Sequence, residues 1–242
     1  MSEERLQKLI SQAQIASRRA AEEMIREGRV TINGRVAQLG DKADPAIHDV
    51  RVDGKRLAAQ PEYVYILLNK PRGVVSANKA ERHERRRLVR ELVPHKGHLF
   101  SVGRLDAESE GLILLTNDGA LADRLMHPRY GHTKTYEVLV EGQPSRDALD
   151  QWRQGVPIGD EMSAPAKVRL LSSSPEGTWL QVILREGRKR QIRRIASQLG
   201  HPVKRLIRTK IEMLEIGHLR PGEWRELSPA EIRMLKGKKQ GS

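Results

Sequence analysis

The stretch that decides the fold is Gly103–Gly119, GRLDAESEGLILLTNDG. Its second half carries the apolar run Leu112–Leu115, bounded by a glycine and by the turn pair Asp118-Gly119, which predicts a short buried strand. Its first half places Asp106 in a glycine-bounded loop before that strand, and loops fixed by a rigid strand often carry catalytic groups. An Asp in a loop is nevertheless more often a turn residue or a helix cap. The function of Asp106 therefore depends on the rest of the chain.

The charge balance points to a polyanionic partner. The 242 residues contain 44 Lys or Arg against 31 acidic residues, a net charge of +13. Such an excess favours nucleic acid first and an anionic membrane second. Residues 185–210 alone hold ten Lys or Arg and one Glu, so most of the excess is concentrated in one segment. The length allows one large domain, or one large domain with a smaller one.

Several classes of protein are disfavoured by composition. No apolar run approaches the ~20 residues that cross a bilayer, and the N-terminus lacks a hydrophobic signal segment. The chain has no cysteine, which excludes disulfides and thiolate metal sites, and its eight histidines are scattered without a helical ligand pair. The sequence therefore predicts a cytoplasmic protein with no membrane span and no metal site.

The first sixty residues predict a small separate domain. Apolar residues at helical spacing predict one helix over residues 4–14 and a second over Arg18–Glu27, with Ser17 as its N-cap. Asn33-Gly34 between short β-branched runs predicts a hairpin. We expect domain limits at 1–60 and 61–236, followed by a disordered basic tail over 237–242.

The rest of the chain predicts a domain that mixes strands and helices. Alternating or β-branched runs predict strands at 63–68, 134–140, 168–171, 179–184 and 203–208. The segment Glu186–Ile195 is predicted to enter a helix that continues to Leu199 and stops at Gly200, because Ile192, Ile195, Ala196 and Leu199 fall on one face. A capping box that begins at Ser228 predicts a final helix to about Leu235.

Several motifs resemble those of one enzyme family in the expected order. Gly103–Gly119 closely resembles the active-site motif of the pseudouridine synthases that isomerise single uridines of ribosomal RNA. Asn69–Gly73 (NKPRG), Lys134–Tyr136 (KTY) and Gly187–Arg193 (GRKRQIR) resemble its other motifs, and the N-terminal segment resembles the S4 RNA-binding module. The resemblance covers about residues 5–236. It implies an α+β protein: a small S4 domain of two helices and a small sheet, then a mixed, largely antiparallel catalytic domain.

The resemblance also implies a set of site residues. Asp106 corresponds to the essential catalytic Asp, Tyr136 to an aromatic hydroxyl beside the uracil, and Arg193 to the basic partner of the Asp. No cofactor is implied, because the isomerisation adds and removes nothing. The substrate-binding residues expected around them are Arg104, Ile192, Arg188, Arg190 and Arg194. The S4 residues expected to contact RNA phosphates are Arg5, Lys8, Arg18, Arg19, Arg29 and Arg35.

The choice of Arg193 as the partner of Asp106 follows from helix geometry. Arg193 stands beside the buried Ile192, so its side chain can run along the domain interior. Arg188 and Arg190 precede the apolar stripe, and Arg194 lies about 200° round the axis from Ile192. We therefore expect Arg193, and not its neighbours, to pair with Asp106.

Other interpretations stay open at the level of sequence. The expected partner is ribosomal RNA or a pre-ribosomal particle, with 23S RNA favoured over 16S RNA, and a monomer is expected. A non-catalytic S4-type ribosome-binding factor is one rival, and a hydrolase that uses Asp106 with Glu108 or Glu110 is another. The sequence does not choose between attack of Asp106 on C1′ and removal of the C2′ proton. The Arg-rich segment 79–90 receives no role.

Overall fold

The chain divides into two compact units. The computed structural model describes residues 3–57, 62–77, 86–95 and 97–237. One unit comprises Met1–Val64, Pro94–Leu99 and Asn117–Gly119, and the other comprises Tyr65–Val93, Phe100–Thr116 and Ala120–Ser242. The predicted boundary after residue 60, most of the 79–90 segment and residues 238–242 of the predicted tail lie outside the described residues. The domain limits therefore stay a prediction.

The first unit contains two helices and short strands, as the sequence predicts. Ser17 caps the second helix by accepting a hydrogen bond from the Ala20 N–H at 3.2 Å. Asn33 and Gly34 both have positive φ, as a tight hairpin turn requires. The four strands β3-β2-β5-β6 form an antiparallel sheet, and β1 pairs with β4. These elements are β1 (Glu4–Arg5), α1 (Leu6–Gln12), α2 (Arg18–Arg26), β2 (Val30–Ile32), β3 (Arg35–Val36), β4 (Lys42–Ala43), β5 (Val50–Val52) and β6 (Lys55–Arg56).

The remaining elements build a larger α+β fold. In chain order they are β7 (Tyr65–Lys70), β8 (Phe100–Val102), β9 (Glu110–Thr116), α3 (Gly119–Met126), β10 (Lys134–Val140), α4 (Arg146–Gln154), β11 (Pro157–Ile158), β12 (Glu161–Met162), β13 (Lys167–Ser174), β14 (Gly177–Leu184), α5 (Gln191–Gln198), β15 (Val203–Ile211), β16 (Leu214–Glu215), β17 (Trp224–Glu226) and α6 (Pro229–Gly237). Short 3₁₀ turns span Val89–Leu92 and Pro128–Tyr130.

One nine-stranded sheet organises this fold. Its main order is β13-β14-β10-β15-β9-β7-β17, with β16 paired to β15 and β8 paired to β9. Within the described residues, β9 and β15 form the one parallel pair of this sheet, and every other pair is antiparallel. The predicted mixed, largely antiparallel α+β fold is confirmed. The sequence patterns did not predict β8 and β17, because runs of three residues carry little periodicity.

Two apolar cores flank this sheet. Helices α4 and α5 pack with β10 and β14 in one core, to which α5 contributes Ile192, Ile195 and Ala196. Helices α3 and α6 pack with β7 and β9 in the other, around Leu112 and Leu114. The parallel strands β9 and β15 are the neighbours through which the two halves of the sheet join.

Close approach of β9 to β15 depends on Gly111. A Cβ atom at this residue would lie 2.3 Å from the Arg208 carbonyl oxygen and 2.6 Å from its nitrogen, and φ is +105°. Gly111→Ala is therefore expected to force the parallel strands apart and to lower the unfolding free energy by about 3 kcal/mol or more. All three tryptophans lie beyond residue 150, so urea unfolding followed by tryptophan fluorescence reports this unit.

Gly222→Ala is the matched control for that substitution. Gly222 has φ +91°, and no atom lies within 4 Å of its ideal Cβ position. This variant bears only the backbone strain of a left-handed conformation, about 1–2 kcal/mol. Equal losses for the two variants would contradict the close-contact explanation.

Candidate active site

One cavity collects most of the predicted catalytic and substrate-binding residues. Its volume is about 1050 Å³, and it is lined by the β8–β9 loop, by strands β10 and β15 and by the segment that leads into α5. All three predicted catalytic residues line it. So do four of the five predicted substrate-binding residues: Arg104, Arg188, Arg190 and Ile192. Arg194 is exposed on α5 and is not among the lining residues.

Backbone contacts on both sides fix the position of Asp106. The Ser76 hydroxyl accepts a hydrogen bond from the Leu105 N–H at 3.2 Å and donates one to the Leu105 carbonyl at 2.9 Å. The Gly73 N–H donates to the Ala107 carbonyl at 2.7 Å. The segment that follows β7 therefore holds the residue before Asp106 and the residue after it. Gly73, the last residue of the NKPRG motif, thus contacts the loop of the GRLD motif, although the two motifs are distant in sequence.

Lys70 is a fully buried cation beneath this loop. Its Nζ donates to the carbonyl oxygens of Val74 at 2.8 Å, Pro71 at 3.0 Å and Ala107 at 3.5 Å. Its side chain has no exposed surface. Burial lowers the pKa of Lys70 to about 8, although Glu110 and Asp106 raise it in part. The residue therefore ties the Asp106 loop to the end of β7 through backbone oxygens alone.

The pH dependence of stability should report this buried lysine. From about pH 8 to pH 10.5, the folded chain has released the Lys70 proton while the unfolded chain still binds it. The unfolded state then binds more protons, so the Lys70 contribution to the unfolding free energy rises with pH. Lys70→Met should remove this rise. Urea unfolding at about pH 7 and about pH 10 measures it, with Lys167→Met on exposed β13 as the control. An identical rise in wild type and Lys70→Met would contradict the prediction.

Among the described residues, the charged side chain within ion-pair distance of Asp106 is that of Arg190, whereas the sequence predicts Arg193 as its partner. Which of the two arginines serves Asp106 in the reaction stays a prediction. Arg190 Nη1 lies 3.8 Å from Asp106 Oδ2, and Arg190 Nη2 donates to Glu108 Oε2 at 3.1 Å. Arg190 is the N-cap of α5 and has φ 53°, a conformation that costs a non-glycine residue roughly 1 kcal/mol or more. This backbone turn points Arg190 at the loop, and the sequence pattern gave no indication of it.

The guanidinium of Arg193 instead donates hydrogen bonds to the loop at Glu108 and Ser109. Its Nη2 lies 3.2 Å from the Glu108 carbonyl and 3.3 Å from the Ser109 hydroxyl, and its Nη1 donates to the Val203 carbonyl at 3.4 Å. Burial lowers the pKa of this guanidinium, while Glu108 and Asp106 raise it. Arg193 lines the cavity, as predicted, and interacts electrostatically with Asp106. Its catalytic role stays a prediction.

The two nearby glutamates are engaged by arginines. Arg190 lowers the pKa of Glu108 by a hydrogen bond, and Arg205 does the same for Glu110. Arg205 forms two hydrogen bonds of 2.9 Å with Glu110. A hydrolytic pair with Asp106 needs a carboxyl whose pKa is raised so that it can donate a proton. Both glutamates are shifted the opposite way, which disfavours that rival.

Arg188 is held in a local network. It forms ion pairs with Glu161 at 3.0 Å and with Glu186 at 3.2 Å. The buried Gln191 donates to Glu186 at 2.6 Å and accepts from the Arg188 N–H at 3.2 Å. These contacts fix the segment before α5. The guanidinium of Arg188 therefore forms ion pairs with Glu161 and Glu186 in this structure, whereas the sequence predicts that it contacts the substrate.

The floor of the cavity adds two basic residues, Arg208 and Lys134, to the predicted Tyr136. Tyr136 on β10 and Arg208 on β15 are register partners, and both are buried. Arg208 Nε donates to the Leu112 carbonyl at 2.7 Å. Lys134 also lines the cavity, and burial followed by the charge of Arg208 lowers its pKa. A strand pattern predicts burial but does not show that a buried arginine faces a cavity.

His132 adds a further polar group to this floor. Its Nδ1 lies 3.4 Å from Glu212 Oε1, and the same oxygen accepts the Thr133 N–H at 2.5 Å. Burial lowers the pKa of His132, and Glu212 partly offsets this effect. Glu212 is therefore occupied by the backbone and the ring of its neighbours.

Some of the predicted S4 residues form an ion pair within the described part of the chain and others do not. Arg5, Arg18 and Arg19 are exposed, and within the described residues no carboxylate forms an ion pair with Arg18 or Arg19. Basic residues in the first turn of a helix oppose the helix dipole, so these two do not serve the stability of α2. The others are paired: Lys8 with Glu4, Arg29 with Asp53 and Arg35 with Asp41.

The described ranges, 3–57, 62–77, 86–95 and 97–237, contain neither a metal-binding cluster nor a membrane-spanning helix. No cluster of three or more His, Asp or Glu side chains there could hold a metal ion. No helix of those ranges combines the length and the hydropathy that a bilayer crossing requires.

Comparisons with known proteins identify the family. The family model described as RNA pseudouridylate synthase matches residues 64–198, and the S4 domain model matches residues 4–46. A protein of Bacillus subtilis named ribosomal large subunit pseudouridine synthase B is 41% identical over 239 residues, covering 96% of each chain. An RNA pseudouridine synthase of Aquifex aeolicus, described as uncharacterised, is 41% identical over 97% of this chain and 94% of its own.

A solved structure gives the same result. A crystal structure of a pseudouridylate synthase superposes with a TM-score of 0.69 at 29% identity, covering 96% of this chain and 99% of that chain. The predicted resemblance is therefore confirmed along nearly the whole sequence. The chain belongs to the RNA pseudouridylate synthase family and is an RNA-binding enzyme with an S4 domain ahead of its catalytic domain.

Proposed function

We propose that the protein converts one uridine of ribosomal RNA, in the 23S molecule of the large subunit, to pseudouridine. The observation that carries the reaction is the position of Asp106, fixed by backbone contacts on both sides and facing a cavity that Tyr136 also lines. The support for the RNA target is the name of the Bacillus subtilis relative, a ribosomal large subunit pseudouridine synthase. The small-subunit 16S RNA is the alternative target.

The reaction breaks the N1–C1′ bond of uridine and joins C5 to C1′. The bonding pair leaves with the uracil, which becomes an anion. Asp106 either attacks C1′ and forms an ester or removes the C2′ proton to leave a glycal. The base then turns and C5 bonds to C1′. In the ester route this breaks the bond between C1′ and Asp106, and in the glycal route Asp106 returns its proton to C2′, so the carboxylate is regenerated either way. C5 finally loses its proton and N1 gains one. Atoms and charge balance without a redox partner or a group donor.

Each of the other site residues has a proposed task. Tyr136 stacks on the uracil and assists removal of the C5 proton, and Ile192 packs against the base. Arg193 keeps the loop of Asp106 in place through its contacts with the Glu108 carbonyl and the Ser109 hydroxyl. Arg104 is exposed beside the cavity mouth, where it can contact the RNA around the target nucleotide.

RNA binding falls to the basic segment and to the S4 domain. The target uridine must leave its stack to enter the cavity, which costs a few kcal/mol. Phosphate contacts from residues 185–210 and from Arg5, Arg18 and Arg19 can offset this cost, and such contacts weaken as salt rises. The proposal includes a cytoplasmic monomer that meets ribosomal RNA or a pre-ribosomal particle.

Mapping pseudouridine in cellular RNA tests the proposal. Ribosomal RNA from cells with and without the gene is treated with carbodiimide and copied by reverse transcriptase. We expect one stop in 23S RNA to vanish with the gene, to return with the wild-type gene and not to return with Asp106→Asn. A stop lost from 16S RNA instead would establish the alternative. Identical stops in both strains would refute a ribosomal target.

A further inference from the structure

Arg208 is a buried cation whose Nη2 atom has no hydrogen-bond acceptor among the described residues. Its side chain is 1% exposed. Nε is satisfied by the Leu112 carbonyl, but Nη2 is buried and has no acceptor within reach among the described residues. Burial of an unpaired polar atom costs free energy, and an arginine cannot relieve that cost by losing its proton. A guanidinium kept in this state is suited to a ligand that supplies an acceptor.

The pairing of Arg208 with Tyr136 determines which atoms of a ligand can contact it. Arg208 and Tyr136 are register partners on adjacent antiparallel strands, so their side chains project from the same face and their Cβ atoms lie about 5 Å apart. Both line the cavity with Asp106. A planar group packed against the Tyr136 ring therefore presents its edge to Arg208.

The surrounding charges favour an anionic or electron-rich ligand edge. Lys134 lines the same floor, and burial, followed by repulsion from Arg208, lowers its pKa. Glu212, whose negative charge acts on Lys134, is engaged by His132 and by the Thr133 N–H. The floor thus carries more positive than negative charge before substrate enters.

We propose that Arg208 Nη2 hydrogen-bonds a carbonyl oxygen of the target uracil and stabilises the negative charge that the base acquires when N1–C1′ breaks. The inference rests on the uridine isomerisation described above and holds whichever RNA supplies the uridine. The charge on the departing base spreads from N1 to O2 and O4 in either route open to Asp106. Fixed donors at such developing charge typically contribute about 10²–10³-fold in rate.

The test uses the full chain and transcripts of 23S and 16S RNA that carry [5-³H]uridine. Tritium leaves C5 in every successful turnover, so its release measures the reaction whichever uridine is the target. With enzyme in excess, we expect Arg208→Met to lower the single-turnover rate about 100-fold or more, with RNA affinity by filter binding little changed. Arg208→Lys should recover part of the rate, because it restores the charge but not the planar donor.

Arg153→Met is the matched control. Arg153 Nε donates to the Val168 carbonyl at 2.9 Å, as Arg208 Nε does to Leu112, but Arg153 does not line the cavity. Its variant should keep the wild-type rate. If Arg208→Met does not fold, Arg208→Lys is compared with the same control, with an expected loss of about tenfold or more.

A leaving-group comparison separates this role from a structural one. Transcripts that carry 5-fluorouridine contain a base that leaves more readily as an anion, and their C-glycosidic product is measured by mass spectrometry of nuclease digests. The Arg208 variant should show a defect at least about tenfold smaller on this RNA than on uridine RNA. An equal defect on both RNAs, or a rate near wild type on uridine RNA, overturns the inference alone. Absence of tritium release by wild type from both RNAs overturns the proposed function and the inference with it.

Discussion

Asp106→Asn is expected to abolish turnover while the melting temperature and the RNA affinity stay close to those of wild type. The loss should be on the order of 10⁴-fold or more, as for other groups that take part directly in bond cleavage. An amide can neither attack C1′ nor remove the C2′ proton. Single-turnover tritium release from labelled 23S and 16S transcripts measures the loss.

Folding should tolerate this change because the loop does not depend on the Asp106 side chain. Its neighbours in sequence are held by Ser76 and Gly73 through the backbone. The ion pair between Asp106 and Arg190 is 3.8 Å long, and the carboxylate side chain is 34% exposed. Such a pair contributes about 0–1 kcal/mol. Residual activity within about tenfold of wild type would remove Asp106 from the chemistry.

Glu108→Gln is the control for the neighbouring carboxylate. It removes the ion pair with Arg190 but leaves the backbone contacts of the loop. We expect its single-turnover rate to stay within about tenfold of wild type. Equal losses for the Asp106 and Glu108 variants would instead favour a carboxylate pair.

Arg193→Ala is expected to have the second-largest effect, with turnover reduced about 100-fold. Three hydrogen bonds from this guanidinium join Glu108 and Ser109 of the loop to Val203 at the start of β15. Their removal should loosen the segment that carries Asp106 and lower the unfolding free energy by about 2–3 kcal/mol, at about 1 kcal/mol per bond. Tritium release at saturating enzyme and urea unfolding measure the two effects separately.

Arg190→Ala is the matched control, because Arg190 is the closer charge to Asp106 but the weaker anchor. Its pairs with Asp106 and Glu108 lie at an exposed surface, where salt screens them. We expect a smaller loss of turnover than for Arg193→Ala, and part of that loss should disappear at high salt. Arg193→Lys should recover only part of the lost activity, because an ammonium cannot span the same acceptors. A larger effect at Arg190 than at Arg193 would make Arg190 the functional partner.

Most of the longer helices and strands could be predicted from the periodicity of apolar residues in the sequence. The strand Lys134–Val140 and the helix that begins near Ile192 lie where the apolar pattern predicts them, since burial of one face dictates that pattern. The hairpin at Asn33-Gly34 formed because its turn residues tolerate positive φ. Elements of two or three residues, such as β8 and β17, carry too few positions to show a period.

Side-chain pairing in the site was harder to predict. The direction of Arg190 is set by a left-handed backbone turn at a non-glycine residue, which no spacing rule anticipates. The burial of Lys70 and Arg208 depends on strands that are distant in sequence. Motif resemblance located Asp106 and Tyr136 in the cavity, but it assigned the contact with Asp106 to Arg193, whereas Arg190 is the arginine within ion-pair distance.

The parallel pairing of β9 with β15 also has a consequence for the order of folding. Arg208 bonds to Leu112 across a sequence separation of 96 residues, and contacts between distant segments form slowly because a long loop must close first. During synthesis, the β8–β9 loop that carries Asp106 emerges from the ribosome well before strand β15, which carries Arg208. The chain can therefore form its N-terminal unit and the antiparallel pair of β7 and β9 early, while the active site closes only after β15 has been made. A nascent or truncated chain that ends before β15 is expected to be catalytically silent.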